Sequence, residues 1–222
     1  MQLCSNNIFS LCFQNKLISQ IINLDKLKHF ISNDVDNNKD FISDLDIKSL
    51  LVCPKKAEWF LLKSIEGSSY VGSGNYPVDI EFDNYGIDAG VVSFNDSNKL
   101  SNIKSIMSTT KNKKNIDELF INHNTDGIIQ LYKNTLIDKY KKYDNILYIL
   151  FFTYLKDIYV VSLFLNKKNI DNIKFLTFIN DKNIVIDNVI DPFFGRAKIN
   201  SSNYKMELQL HKNIIDYSYK IT

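Results

Sequence analysis

Two short stretches carry the acids best spaced for chemistry, Tyr76-Pro77-Val78-Asp79-Ile80-Glu81-Phe82 and Gly86-Ile87-Asp88-Ala89-Gly90-Val91-Val92-Ser93. Each reads as a strand and the two as arms of one hairpin, so that an acid from each arm can converge on a divalent cation. Carboxylate oxygens are hard ligands of the kind that suits Mg²⁺. An ion held there offers phosphodiester hydrolysis a Lewis acid for a non-bridging oxygen and a water of lowered pKa. Asp79 and Asp88 are therefore the first candidates as metal ligands. Glu81 lies two residues from Asp79 on the same strand face, so either acid or both could turn to the ion. Against this stands the commonest strand pattern, in which Asp79, Glu81 and Asp83 form a solvated face above buried Val78, Ile80 and Phe82.

Other chemistries find little support. His29, His123 and His211 are far apart, with none at metal-ligand spacing. Cys4, Cys12 and Cys53 are odd in number and widely separated, which argues for free thiols rather than a disulfide framework or a zinc site. Gly67, Gly72 and Gly74 do not form a nucleotide fingerprint, and no lysine-serine pair follows them, so no nucleotide cofactor is expected. No apolar run reaches membrane length, and the first residues lack the cationic start and cleavage site of a signal peptide. A cytoplasmic protein without membrane contact is expected.

The elements that must position the acids follow from periodicity. Helices are predicted over Asn15–His29, from Pro54 to a stop at Gly67, and over Asp126–Lys142. In the second, Ala57, Phe60, Leu61, Ser64 and Ile65 line one side, and Glu58 reads most simply as a surface carboxylate, as exposed helix glutamates commonly are. A short strand is predicted around Tyr70 and Val71. It precedes the hairpin of Val78–Phe82 and Ile87–Phe94, whose turn is placed at Asn84–Gly86. The stretches Ser32–Asp46 and Ser97–Asn115 read as loops, the first with at most a short helix near Phe41–Leu45. Asn145–Tyr154 and Ile158–Leu165 are apolar enough to lie in the middle of a covered sheet. Shorter strands are expected at Lys174–Ile179, Ile184–Val189 and Tyr204–His211.

With these elements around the two acids, the chain resembles the PD-(D/E)XK nuclease superfamily, which includes many type II restriction endonucleases and shares a helix, three strands, helix, strand core. The resemblance covers about Pro54 to Tyr154. In that family an acid often sits on the first helix, an aspartate follows a proline at the second strand, and the third strand carries an acid-X-lysine tripeptide. Glu58, Asp79 and Asp88 occupy those places. Here Val78 separates Pro77 from Asp79, and the tripeptide reads Asp88-Ala89-Gly90, without the lysine that orients or activates the attacking water. Three accounts of Gly90 stand open: a lysine supplied from elsewhere, with Lys104 or Lys99 shortly downstream; a chain that has lost hydrolysis; or a hairpin of unrelated origin.

The resemblance implies an α/β fold with a restriction-endonuclease-like core, its central mixed sheet flanked by helices. It divides one domain into an N-terminal helical embellishment at 1–53, the core at 54–165 and a strand-rich extension at 166–222. It further implies Mg²⁺ as cofactor, double-stranded DNA as substrate, cleavage of the type II restriction kind and a homodimer. The alternative is a non-catalytic DNA-binding or partner-binding protein on the same fold.

The charge balance of 27 Lys and Arg against 25 Asp and Glu is nearly neutral. It permits a local DNA-binding stripe without demanding one. Arg196 is the only arginine. Lys111, Lys113 and Lys114, with the lysine face of the helix around Lys133–Lys142, are candidates for phosphate contacts. Arg196 and Lys198, with Asn200 and Asn203, form a second candidate group, because arginine can read guanine and asparagine adenine. A polar loop is the plainer account of that segment.

Overall fold

A computed structural model of the chain describes residues 3–4, 11–13, 19–37, 54–72, 78–93, 101–108, 113–139, 141–143, 145–154, 157–165, 176–180, 183–186, 194–200, 205–210, 215–216 and 218–221. Among these are helices α1 (Leu24–Asn37), α2 (Pro54–Ser64), α3 (Lys113–Ile121) and α4 (Thr125–Lys139). The chain is α/β, built on a large mixed sheet and a second antiparallel one.

Local chemistry sets the helix ends. Pro54 opens α2, where its missing N–H and fixed φ cost nothing. Gly67, at φ 76, closes the turn after it in the left-handed region, as predicted. Ala57, Phe60, Leu61, Ser64 and Ile65 are all buried, so the predicted face of α2 is the one used.

Helix α1 corrects the expected Asn15–His29 span. Asn23 is the cap, its side-chain oxygen accepting from Lys26 N–H at 2.9 Å while its own N–H donates to the Ser64 carbonyl at 2.8 Å. Residues 19–21 are helical as expected, the helix breaks at Ile22 and Asn23, and α1 then continues through Ser32–Asn37, where a loop was expected. Buried Leu27 and Ile31 hold it on α2 despite the Asn and Asp residues that weaken its propensity.

The large sheet runs β1 (Leu3–Cys4), β2 (Leu11–Phe13), β8 (Asp157–Leu165), β7 (Asn145–Tyr154), β5 (Tyr85–Ser93), β4 (Ile80–Phe82) and β3 (Ser69–Tyr70), and β13 (Tyr219–Lys220) also pairs with β8. The segment 1–53 is thus not wholly helical, since β1 and β2 extend this sheet. The strands β4 and β5 form the predicted hairpin, with Ile80 opposite Ile87 and Phe82 opposite Tyr85. Its turn is Asp83–Asn84 rather than Asn84–Gly86, and Asp83 takes φ 51, a conformation aspartate tolerates.

Only β5 and β7 pair in parallel among the registers described, Asp88 opposite Tyr148 and Gly90 opposite Leu150. Leu147, Ile149, Phe151, Ile87, Ile158 and Val160 form one core with α1 and α2. Ile146, Tyr148, Leu150 and Phe152 are buried on the other face. The strand β7 is therefore covered on both sides, which is what its unbroken apolar run predicts.

The crossover between β5 and β7 contains more than the one expected helix. Within the stretch 97–115 read as loop lies β6 (Ser101–Ser108), and α3 begins at Lys113. The next helix ends at Lys139, short of the expected Lys142.

The second sheet has the order β6, β12 (Lys205–Leu210), β11 (Phe194–Asn200), β10 (Asn183–Ile186) and β9 (Leu176–Asn180), all antiparallel. The strand-rich extension at 166–222 is thus completed by a strand from inside the core. The element β11 corrects the polar-loop reading of 194–200. Its alternation is weak, and the register to β10 and β12 on either side supplies what the local sequence lacks. His123, just after α3, stacks on Phe178 of β9 at 4.4 Å between ring centroids, and Phe120 meets the same ring at 6.0 Å. No helix among the described residues is long and apolar enough to cross a membrane.

Candidate active site

Asp79 is held by backbone on three sides. Its N–H donates to the Ile87 carbonyl at 3.0 Å, and its carbonyl accepts from Val71 and Gly72 N–H at 2.9 and 3.0 Å. Its Oδ2 accepts from Ala89 N–H at 2.9 Å. The carboxylate is therefore fixed against β5, beside Asp88. Burial pushes the Asp79 carboxyl up to about 6, and the charges of Asp88 and Glu58 add to that rise, while the Ala89 N–H opposes it. Three acids from one helix and two strands thus sense one another at a single place.

Glu58 is buried on α2 and reaches this place from below. Its Oε2 accepts from Lys55 Nζ at 2.6 Å and from the Tyr70 hydroxyl at 3.1 Å. Lys55 also donates to Tyr70 Oη at 2.8 Å. Glu58 holds the Lys55 ammonium well above its ordinary value, by hydrogen bonding and by charge.

Gly72 lies between these two groups. A Cβ at that position would stand 2.9 Å from Tyr70 Oη and 3.1 Å from Asp79 Oδ1. The absence of a side chain there lets Tyr70 and Asp79 approach each other.

Glu81, which shares strand parity with Asp79, is engaged elsewhere. Its Oε1 lies 2.5 Å from Lys142 Nζ and also accepts from the Tyr143 hydroxyl. Lys142 and then Tyr143 pull the Glu81 carboxyl below the ordinary range. Burial, helped by Glu81, pushes the Tyr143 hydroxyl up to about 12. The carboxylate of Glu81 is thus paired with a cation and a phenol, and the Asp79 cluster consists of Asp88 and Glu58.

The remaining candidates are placed only by their strand or helix, or lie outside what is described. Gly90 carries no lysine, and a Cβ built on it would come within 2.8 Å of Leu150 Cδ2, so β7 fills the space beside it. Lys104 lies on β6 in the second sheet, opposite β12. Lys113 and Lys114 open α3. Arg196, Lys198 and Asn200 stand on β11 at register positions opposite Gln209, Glu207 and Lys205 of β12. Pro77, Lys99, Lys111 and Asn203 lie outside the described residues.

The sequence reading did not single out Lys55, Tyr70 or Gly72. Lys55 was open to discovery, being three residues before Glu58 on one helix and hence its neighbour on the surface. Tyr70 and Gly72 depend on the pairing of β3 with β4, which no local signal specifies.

Among the described residues no group of three or more His, Cys, Asp or Glu side chains is set out as a ready cage for a metal ion. The donors that fit a hard cation are the neighbouring carboxylates of Asp79 and Asp88, since Mg²⁺ commonly takes one or two carboxylates and keeps several waters. Glu58 is turned to Lys55 and Tyr70. No family model, curated protein or solved structure matches this chain.

Proposed function

We propose that the protein is a Mg²⁺-dependent endodeoxyribonuclease of the PD-(D/E)XK kind, acting on double-stranded DNA as type II restriction endonucleases do. The observation that carries this reading is the meeting of Glu58, Asp79 and Asp88, with Asp79 raised to about 6 by burial and by its two acidic neighbours. Acids forced together in this way favour a proton or a cation between them. The order α2, β3, β4, β5, intervening helices and β7 supports the same core, with β6 and α3 as insertions.

In the reaction, the oxygen of water forms a bond to phosphorus and one P–O ester bond breaks. One water proton ends on the departing sugar oxygen, and the new phosphate keeps the hydroxyl. Mg²⁺, when bound by Asp79 and Asp88, would supply a Lewis acid for a non-bridging oxygen and lower the pKa of the attacking water. The chain's own part is to hold those carboxylates in place. Ala89 N–H fixes Asp79, and Lys55 with Tyr70 fixes Glu58.

The empty lysine position at Gly90, packed by Leu150, favours a second reading, a DNA-binding or partner-binding protein without hydrolysis. One experiment separates the two. Purified protein is incubated with unmethylated phage or plasmid DNA, with Mg²⁺ or EDTA, and run on a gel. Discrete Mg²⁺-dependent fragments support the nuclease, and their loss in Asp79→Ala and Asp88→Ala ties cleavage to this site. DNA that is bound yet never cut overturns the nuclease in favour of the second reading. A dimeric form would show as a doubled mass in solution.

A further inference from the structure

A cluster of three carboxylates repels a phosphodiester, and its negative charge grows more unfavourable as a transition state gathers charge on the phosphoryl oxygens. A cation is needed on the side where the phosphate arrives. Among the described residues, the ammonium that hydrogen-bonds into this cluster is that of Lys55, one turn from Glu58 on α2. Its side chain is 63% exposed, whereas that of Glu58 beneath it is 6% exposed. The cation thus stands at the mouth of the site and the acid at its floor.

Resting on the nuclease reading above, we propose that Lys55, steadied by Tyr70, faces the substrate phosphate and supplies the positive charge that position 90 lacks. Tyr70 holds the ammonium at 2.8 Å, and its ring lies 5.4 Å from the same Nζ. The tyrosine hydroxyl in turn faces Asp79 across the open side of Gly72. Lys55 is therefore joined to Glu58 both directly and through the Tyr70 hydroxyl, on the side of the site where Asp79 lies. Lys142 is bound to Glu81. Position 90 is closed to any side chain unless Leu150 moves.

The charge supplied by Lys55 neutralises a non-bridging oxygen of the scissile phosphate as the water oxygen bonds to phosphorus. It takes no proton and forms no covalent bond. Its loss should slow bond cleavage while leaving the carboxylates able to hold the ion.

The test is single-turnover cleavage of plasmid DNA by the full chain at varied Mg²⁺, comparing wild type with Lys55→Ala, Lys55→Arg and Tyr70→Phe. Lys55→Ala is expected to cleave about 100-fold more slowly at saturating Mg²⁺, with half-saturation by Mg²⁺ changed less than about threefold. Lys55→Arg should recover about a tenth or more of the rate, and added methylammonium should partly rescue Lys55→Ala. Tyr70→Phe should lose less than Lys55→Ala. Thermal unfolding checks that the variants remain folded, as the exposure of Lys55 leads one to expect. If wild type and Lys55→Ala cleave alike, this inference falls while the nuclease reading stands. A shift confined to Mg²⁺ half-saturation overturns it too, by making Lys55 a support of Glu58 alone. If wild type never cleaves, both fall together.

Discussion

The Ile80–Ile87 register of the β4–β5 hairpin brings Asp79 and Asp88 opposite each other. Burial, with the charge of Asp88 beside it, favours the protonated form of Asp79. When both ionise they repel, and the same place then invites a cation. The proton and the metal ion thus compete for one seat.

This competition predicts a pH-dependent response to Mg²⁺. Asp79 is raised to about 6, from an ordinary value of 3.8. Its contribution to folding is therefore fully present below the unfolded value and is lost as pH rises through the folded one. Mg²⁺ should raise the melting temperature well above that window, at about pH 8, and have little effect at about pH 5. Equal shifts at both pH values would count against an ion at the Asp79–Asp88 pair.

Asp79→Asn should make the metal-free protein more stable at neutral pH while abolishing cleavage. Removing the ionised group relieves repulsion worth about 1 kcal/mol, after allowing for solvent screening of a half-buried site. Urea unfolding at pH 7.5 and at pH 4 checks this, with the gain expected only at the higher pH. Cleavage should fall by about 100-fold or more. A variant that loses both stability and activity would mean that Asp79 is structural.

Glu81→Gln should behave differently although it lies on the same strand. Its carboxylate is already occupied by Lys142 and Tyr143. Cleavage is expected within about threefold of wild type, with the dependence on Mg²⁺ unchanged. A large loss would move Glu81 into the metal site.

Gly72→Ala should impair the site while sparing the core. The new methyl would press on Tyr70 and Asp79 together, and Tyr70 is the freer of the two, being exposed. Cleavage should drop about tenfold or more, while the melting temperature falls by only a few degrees.

Asn23→Ala tests the cap that displaced α1 from its expected position. Losing the Lys26 N–H contact should cost about 1 kcal/mol in urea unfolding. An unchanged midpoint would mean that Leu27 and Ile31 alone set the helix.

Much of the fold was legible where one face or one run decides the outcome. The buried side of α2, the stop at Gly67, the β4–β5 hairpin and the apolar strands β7 and β8 all follow from local pattern. The strands β6 and β11 were not legible, because each is defined by partners far along the chain, and Asn-rich, Lys-rich sequence carries little alternation of its own. The break at Ile22 and Asn23 was not legible, because the apolar period runs through it from the helical residues 19–21 into α1, and the cap is recognised only once Asn23 is seen against Ser64. At the site, Asp79 and Asp88 could be read from residue type and spacing on the hairpin, whereas Glu58 enters only through the family resemblance. The diversion of Glu81 to Lys142 and Tyr143 could not, since those residues reach it only when the chain after α4 returns to the sheet.

The excursion of β6 out of the core has a consequence for the order of folding. The β4–β5 hairpin is closed by a two-residue turn and can form within microseconds. The second sheet joins Ser101–Ser108 to Lys205–Leu210, and that loop must close before either strand gains its ladder. Asp79 and Asp88 should therefore meet long before β6 finds β12. During synthesis, Ser101–Ser108 waits as an unpaired edge until Lys205–Leu210 has left the ribosome, and that wait is the interval in which the nascent chain is most open to aggregation.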